Sequence, residues 1–468
     1  MVKNDIIRLK ITDISAEGSG IGRYENMAVF VKNTAIGDEI DAKVLKVMKN
    51  CAFAKAENFI TLSKDRVEID CPVFSLCGGC TLRHISYKSE ADFKYNRVYE
   101  TMKRIGAQTL APNEIISAEN VNRYRNKAQY PVSKEGKVGF FAAHSHRIIT
   151  NDDCLLQSEN FAAISKAFCE WIKEQNVAVY DEATQKGIIR HLYLRKAEST
   201  NQIMAVAVIN ADSLSKKLSE SLVDALISAD INIKSIELNV NKKPTNVVLG
   251  EKYITLLGNG YIEDEICNVK VKLSAASFYQ VNRKMAQKLY NKAKEYANPK
   301  GKTVLDLYCG TGTIGLSMAG KAKKVIGVEI VPQAIENAKE NAKLNGLENT
   351  EFICADATIA AKRLREQNLK ADVVILDPPR KGCDQGLLSI VANNFSPEKI
   401  VYVSCDVATL ARDVKILNEL GYELKEYTPV DLFPRTAHVE TVVLLSREKA
   451  DDYVRISVHT KDLKTRMN

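Results

Sequence analysis

Hydrophobic and polar positions change rhythm twice along the chain. In residues 1–62 they alternate, in Ile7-Arg8-Leu9-Lys10-Ile11 and again in Asp41-Ala42-Lys43-Val44-Leu45-Lys46-Val47. A period of two sends one set of side chains to one face, as in a half-buried strand. Ala28-Val29-Phe30-Val31 is a short apolar run of strand type, and Gly18, Gly20, Gly22 and Gly37-Asp38 separate the runs. Short, evenly spaced strands predict a small barrel over 1–62. Residues 63–275 are mixed α+β, with a helix expected over about 88–105 and strands at Ile188–Arg195 and Ile236–Val240.

From 276 to 449 strand-like runs alternate with helical patterns: 303–307, then 313–321, then 325–329, then 332–345, with later strands at 373–376 and 400–403. That alternation predicts a doubly wound α/β domain with a mainly parallel sheet. Residues 450–468 read as a polar tail.

Composition narrows the function classes. Of 468 residues 45% are hydrophobic and 26% charged, and no apolar run approaches the ~18 residues of a membrane span. The opening Met1-Val2-Lys3-Asn4-Asp5 lacks an apolar signal region, so a cytoplasmic location is expected. A net charge of +8 permits a polyanionic partner. Eleven cysteines without a secretion signal point to metal, catalysis or burial rather than disulfides.

The chemistry concentrates at predicted strand ends. Asp306-Leu307-Tyr308-Cys309-Gly310-Thr311-Gly312 follows a strand and opens a helix, where glycines let backbone N–H groups approach a ligand. The next strand ends in Glu329, an acidic residue suited to ribose hydroxyls. Asp377-Pro378-Pro379-Arg380 ends a buried strand, and this element resembles the substrate-side motif of class I methyltransferases. Cys405 follows strand 400–403 at a helix start, which favours the thiolate, while Asp406 opposes it. Glu440 stands near an apolar edge where burial raises a carboxyl pKa towards base work. His438 reads as an orienting or structural histidine.

Phe278-Tyr279-Gln280-Val281-Asn282, the Asp306–Gly312 turn, Asp377-Pro378-Pro379-Arg380, Ser404-Cys405-Asp406 and His438-Val439-Glu440-Thr441-Val442 occur in that order. Together they resemble the RNA 5-methyluridine methyltransferase family, and residues 1–62 resemble its TRAM domain. One departure is visible: the family often has Asn-Pro after the cysteine, where this chain has Asp406-Val407. The resemblance implies a class I, Rossmann-like methyltransferase domain using S-adenosylmethionine. It makes Cys405 the nucleophile that adds to uracil C6 and Glu440 the base that then removes the C5 proton. It assigns Gln280, Tyr308, Glu329 and Asp377 to the cofactor, with Asp356 a further candidate near the adenine.

Cys71, Cys77 and Cys80 form C-x5-C-x2-C among glycines, a spacing that asks for a metal in a reducing compartment. The resemblance to the family's ribosomal-RNA branch adds Cys154 as fourth ligand and implies a [4Fe–4S] cluster; zinc is the alternative. Cys51, Cys169, Cys267, Cys309, Cys354 and Cys383 read as buried or incidental. Residues 121–147 carry six Lys/Arg against one acid, with Tyr124, Tyr130, Phe140 and Phe141 interleaved, as RNA binding requires. The branch implies 23S ribosomal RNA, unassembled or partly assembled, as substrate of a monomer with no membrane partner. The competing readings are a transfer-RNA uracil-C5 methyltransferase and an iron–sulfur RNA-binding or sensor protein without catalysis.

Overall fold

The computed structural model describes residues 1–447; the tail expected over 450–468 lies outside the described residues. Strands β1 (Ile6–Ile14), β2 (Gly20–Tyr24), β3 (Met27–Val31), β4 (Glu39–Val47) and β5 (Cys51–Thr61) close into a barrel in the order β1-β2-β3-β5-β4. The alternation seen in sequence is the cause: Ile7, Leu9 and Ile11 point inward with Val29, Val31, Ile40 and Val44. Asp38 locks the barrel's exit. Its carboxylate accepts from Ala35 N at 2.6 Å, Ser63 N at 2.9 Å, and Arg66 Nε and Nη2 at 2.8 and 2.7 Å.

Helix α1 (Tyr87–Arg104) comes next, capped by Ser86, whose hydroxyl accepts from Ser89 N at 3.2 Å. It lies in the central stretch of the sequence, yet Val98 and Met102 pack into the core of the distant C-terminal sheet. The central unit contains β6 (Lys127–Pro131), β7 (Gly139–Phe141), β8 (Ile148–Thr150), α2 (Asn160–Glu174), β9 (Ile189–Lys196), β10 (Ile203–Ile209), α3 (Lys216–Ala229), β11 (Ile233–Val240) and β12 (Lys252–Leu257). Its sheet runs β12-β11-β10-β9-β6. Helices α2 and α3 cover one face. The other meets hairpin β13 (Ile262–Ile266) and β14 (Val269–Leu273) and helix α4 (Arg283–Ala297).

The last unit alternates β15 (Thr303–Leu307), α5 (Thr313–Ala319), β16 (Lys324–Glu329), α6 (Pro332–Leu344), β17 (Thr350–Cys354), α7 (Ala357–Glu366), β18 (Val373–Leu376), α8 (Gln385–Ile390), β19 (Lys399–Ser404) and α9 (Val407–Glu419). Strands β20 (Tyr422–Val430) and β21 (Glu440–Arg447) complete a seven-stranded sheet ordered β17-β16-β15-β18-β19-β21-β20. The pairs β15·β16, β15·β18, β16·β17 and β18·β19 are parallel, while β21 runs antiparallel to both neighbours. Buried apolar runs such as Val373-Val374-Ile375-Leu376 follow from helices on both faces.

Replacing Asp38 by Ala leaves two buried N–H groups unpaired and Arg66 without its carboxylate, with only Asn33 O still accepting from it. The expected cost is about 3 kcal/mol, read as a lower midpoint for barrel unfolding in thermal melts. An unchanged midpoint would show that the network is dispensable.

Candidate active site

Strands β15 to β19 end at one edge of the sheet, the place where open α/β sheets bind ligands. The turn after β15 begins with Tyr308 at φ 68° and Gly310 at φ 54°. A left-handed tyrosine is uncommon and marks a turn that its surroundings enforce. A Cβ on Gly310 would meet no atom within 4 Å, so the turn faces open space. Glu329, at the end of β16, holds the turn: its Oε2 accepts from Gly310 N at 3.2 Å and its Oε1 from Val331 N at 3.0 Å. Asp306 is buried beneath; its Oδ2 accepts from Gly315 N at 3.0 Å, while its Oδ1 has no partner. Burial, helped by Asp377, pushes the Asp306 pKa up to about 8.

The other expected cofactor residues converge to different degrees. Asp377 follows β18, and burial raises its pKa to about 7. The Tyr308 hydroxyl lies beside the Cys383 thiol. Gln280 reaches the cleft ahead of α4: its side chain meets the Tyr290 hydroxyl, which also feels the fields of Asp377 and Glu440. Asn126 fixes that segment, with Nδ2 donating to Gln280 O at 3.0 Å and N to Val281 O at 2.9 Å. Asp356 sits at the same edge but caps α7, its Oδ1 accepting from Thr358 N at 2.9 Å and Ile359 N at 3.2 Å.

Cys405 and Glu440 meet because of register. Ser404 pairs with Thr441 in the antiparallel β19·β21 ladder, so Cys405 and Glu440 are the next facing positions. Cys405 is half-buried, and burial, Glu440 and Asp377 push its thiol up to about 11. The sequence left open whether the helix start or Asp406 would prevail. In the structure Asp406 is occupied as the cap of α9, accepting from Ala408 N at 3.0 Å and Thr409 N at 2.9 Å, and burial decides the balance. Glu440 is buried, and burial and Asp377 raise its pKa to about 8. The charge of Arg380 works the other way on both groups. Asp306, Tyr290 and Arg380 were assigned no role in the sequence; an acidic residue closing the apolar strand β15 was the available signal for Asp306.

Cys71, Cys77, Cys80 and Cys154 line one cavity of about 60 Å3 together with Arg83, Arg125 and Phe140. All four thiols are free. Burial and mutual repulsion of the thiolates raise the pKa values of Cys77 and Cys154, and burial raises Cys80 to about 11. Among the described residues no three His, Cys, Asp or Glu side chains stand close enough to hold a metal ion. The thiols therefore share a cavity without forming a closed ligand set. The basic stretch is only partly a surface. Tyr124 and Tyr130 are core residues: Tyr124 OH donates to Pro434 O at 2.9 Å, and Tyr130 packs against Phe140 at 5.0 Å. Arg123 pairs with Asp153, whereas Lys137, Phe141 and Arg147 are exposed.

Residues 86–448 match the family described as tRNA (Uracil-5-)-methyltransferase, and residues 3–56 match the TRAM domain. The chain belongs to the tRNA (uracil-5-)-methyltransferase family. An uncharacterized RNA methyltransferase of Clostridium acetobutylicum is 46% identical to it over 452 residues, covering 95% of this chain and 98% of the relative. One from Halalkalibacterium halodurans is 43% identical over 450 residues. The crystal structure of Pyrococcus abyssi tRNA (uracil-54, C5)-methyltransferase with S-adenosyl-L-homocysteine matches with a TM-score of 0.77 at 27% identity, covering 94% of this chain and 99% of that one. In this family member the closed barrel is the TRAM match, and no helix among the described residues is long and apolar enough to cross a membrane.

The raised Glu440 pKa carries a sign. A carboxyl with a folded pKa of about 8 against an ordinary 4.5 holds a proton that the unfolded chain releases. Stability therefore falls as pH rises from about 4.5 to about 8. Glu440→Gln removes that loss, so its melting temperature should exceed the parent's by a margin that grows between pH 5 and pH 8. A margin independent of pH would mean that Glu440 titrates normally.

Proposed function

We propose that this protein methylates C5 of uridine in RNA, using S-adenosylmethionine, with 23S ribosomal RNA as substrate. The observation that carries the reading is the juxtaposition of Cys405 and Glu440 at the edge that also holds Asp377 and the Gly310 turn. Uracil C5 is a poor nucleophile. The Cys405 thiolate adds to C6, and the C5–C6 π electrons move onto the ring as an enolate. S-adenosylmethionine, when bound, supplies an electrophilic methyl group that C5 accepts, with S-adenosylhomocysteine leaving. Glu440 then takes the C5 proton, the C5–C6 double bond re-forms and the Cys405–C6 bond breaks, returning the thiolate. Arg380 favours both the thiolate and the Glu440 carboxylate.

The cleft suits a cationic cofactor. Asp306, Asp377 and Glu440 are pushed towards their neutral forms there, and Asp306 keeps an unpartnered buried oxygen. Glu329 supplies the carboxylate for ribose hydroxyls, with Gln280 and Tyr308 completing the cofactor side and Asp356 beside it. We assign a [4Fe–4S] cluster to Cys71, Cys77, Cys80 and Cys154 on the cysteine pattern and on the four free thiols lining one cavity, which would have to draw closer to close around it. It would tie the segment 71–80 to the loop at Cys154 and supply no electron to methyl transfer.

Transfer RNA is the second reading. The solved Pyrococcus abyssi enzyme acts on tRNA uracil-54 and matches 94% of this chain, so architecture alone does not separate the two RNAs. The ribosomal assignment rests on the cysteine pattern. A non-catalytic sensor is disfavoured by the paired Cys405 and Glu440.

With both RNAs offered, Glu440→Gln should accumulate a methylated covalent protein–RNA complex that survives denaturing electrophoresis, and Cys405→Ala should form none. An adduct in Cys405→Ala would assign the nucleophile elsewhere; 5-methyluridine in transfer RNA alone would replace the ribosomal assignment. Protein purified without oxygen should contain about four irons and four sulfides per chain, lost on Cys77→Ala. One zinc and no iron would sink the cluster.

A further inference from the structure

The connection from β20 to β21, residues 431–439, lies at the sheet edge immediately ahead of Glu440. It is not a solvated loop: Asp431 and Leu432 are 0% exposed, Val439 2% and Ala437 3%. A buried connection has to pair its backbone polar groups with protein rather than water. One stripe of α1 does this with residues at i, i+4 and i+7, namely Glu90, Lys94 and Arg97. Lys94 Nζ donates to Glu90 Oε1 at 2.7 Å, to Asp431 Oδ1 at 2.7 Å and to Phe433 O at 3.2 Å. All three ammonium hydrogens are thereby used. Glu90 Oε1 also accepts from Arg435 N at 2.7 Å, Arg97 Nη1 donates to Ala437 O at 2.7 Å, and Tyr87 OH donates to Asp431 Oδ2 at 2.9 Å.

The charges balance locally. Two carboxylates, Glu90 and Asp431, face Lys94, and the Arg435 guanidinium stands 3.8 Å from Glu90. The side chains of Lys94, Glu90 and Asp431 are all 0% exposed. Buried ions of this kind add little net stability over apolar residues of the same volume; what they fix is geometry. Here the geometry belongs to the segment that delivers Glu440.

We propose that Lys94, with Glu90 and Asp431, positions Glu440 for proton removal from C5. The proposal rests on the reading of Glu440 as the base. The sheet ladder sets both residues, but Glu440 is the first residue of β21 and is joined directly to this loop, whereas Cys405 lies between β19 and α9 and is joined to neither end of it. Thiolate addition and methyl transfer therefore depend on the cluster less than elimination does. Loosening the loop therefore shifts the reaction towards the methylated adduct, as a weaker form of what loss of the base itself does.

The test compares the full-length parent protein with Lys94→Met, which removes the shared donor, and Asp431→Asn, which keeps shape and an acceptor oxygen while leaving the Glu90–Lys94 pair intact. Each is given S-adenosylmethionine and a target RNA, and two quantities are read: methyl transferred in the first turnover, and the fraction of enzyme trapped as denaturation-stable adduct. The expected result for both variants is an adduct fraction raised roughly tenfold per methyl transferred, since a misplaced base forfeits part of its catalytic contribution. Lys94→Arg should bring the ratio back towards the parent's. If Lys94→Met fails to fold, Asp431→Asn carries the test alone. Methyl transfer and release falling together, with the ratio unchanged, would reduce the cluster to a fold-stabilising element and overturn the proposal. A parent protein that methylates no uridine would overturn the functional reading and this inference with it.

Discussion

One strand running against its neighbours makes the site. Cys405 directly follows one strand and Glu440 begins the next but one in the chain, and in an all-parallel sheet those two ends would lie at opposite edges. Because β21 is antiparallel to β19, with Ser404 opposite Thr441, the end of one and the start of the other coincide. Tyr308, Glu329 and Asp377 stand at or just beyond the ends of parallel strands at the same edge, and Gln280 joins them from the segment ahead of α4. Glu329 bonded to Gly310 and Asp306 bonded to Gly315 brace that edge from below.

The same edge is electrostatically expensive. Several carboxylates share a poorly hydrated cleft, and at Glu440 desolvation outweighs the field of Arg380. Burial raises the pKa values of Asp306, Asp377 and Glu440, which favours their neutral forms. The same burial, with Glu440 and Asp377 beside it, raises the thiol of Cys405 to about 11.

Much of this was legible in the sequence, and the failures have physical reasons. The alternation in residues 1–62 and the strand–helix rhythm after 276 reflect one-sided and two-sided burial, which sequence encodes directly. Glu329 could be tied to the Gly310 turn because both lie within one βαβ unit. Tyr124 and Tyr130 misled because an aromatic beside a lysine has the same composition in a core as on an RNA-binding face; only the partners, Pro434 O and Phe140, distinguish the two. Asp356 has a second, local use that its sequence position did not reveal: it caps α7 at the same sheet edge. Helix α1 was foreseen as a helix, but not as part of the C-terminal core, since its partners lie more than 300 residues away: Lys94 and Asp431 are 337 apart.

That separation has a consequence for the birth of the molecule. Lys94 is made early, and Asp431, the second of its two carboxylate partners, very late. Until the ribosome has released Asp431, the apolar stripe of Val98 and Met102 has no sheet to cover it. Gly18, in the β1–β2 turn, waits likewise: a Cβ there would stand 2.9 Å from Thr81 and 3.4 Å from Ala437. The barrel can close on its own as it emerges, but the N-terminal helix is an exposed, half-apolar segment throughout synthesis of the middle of the chain. Contacts of such long range make the final step of folding slow and collective.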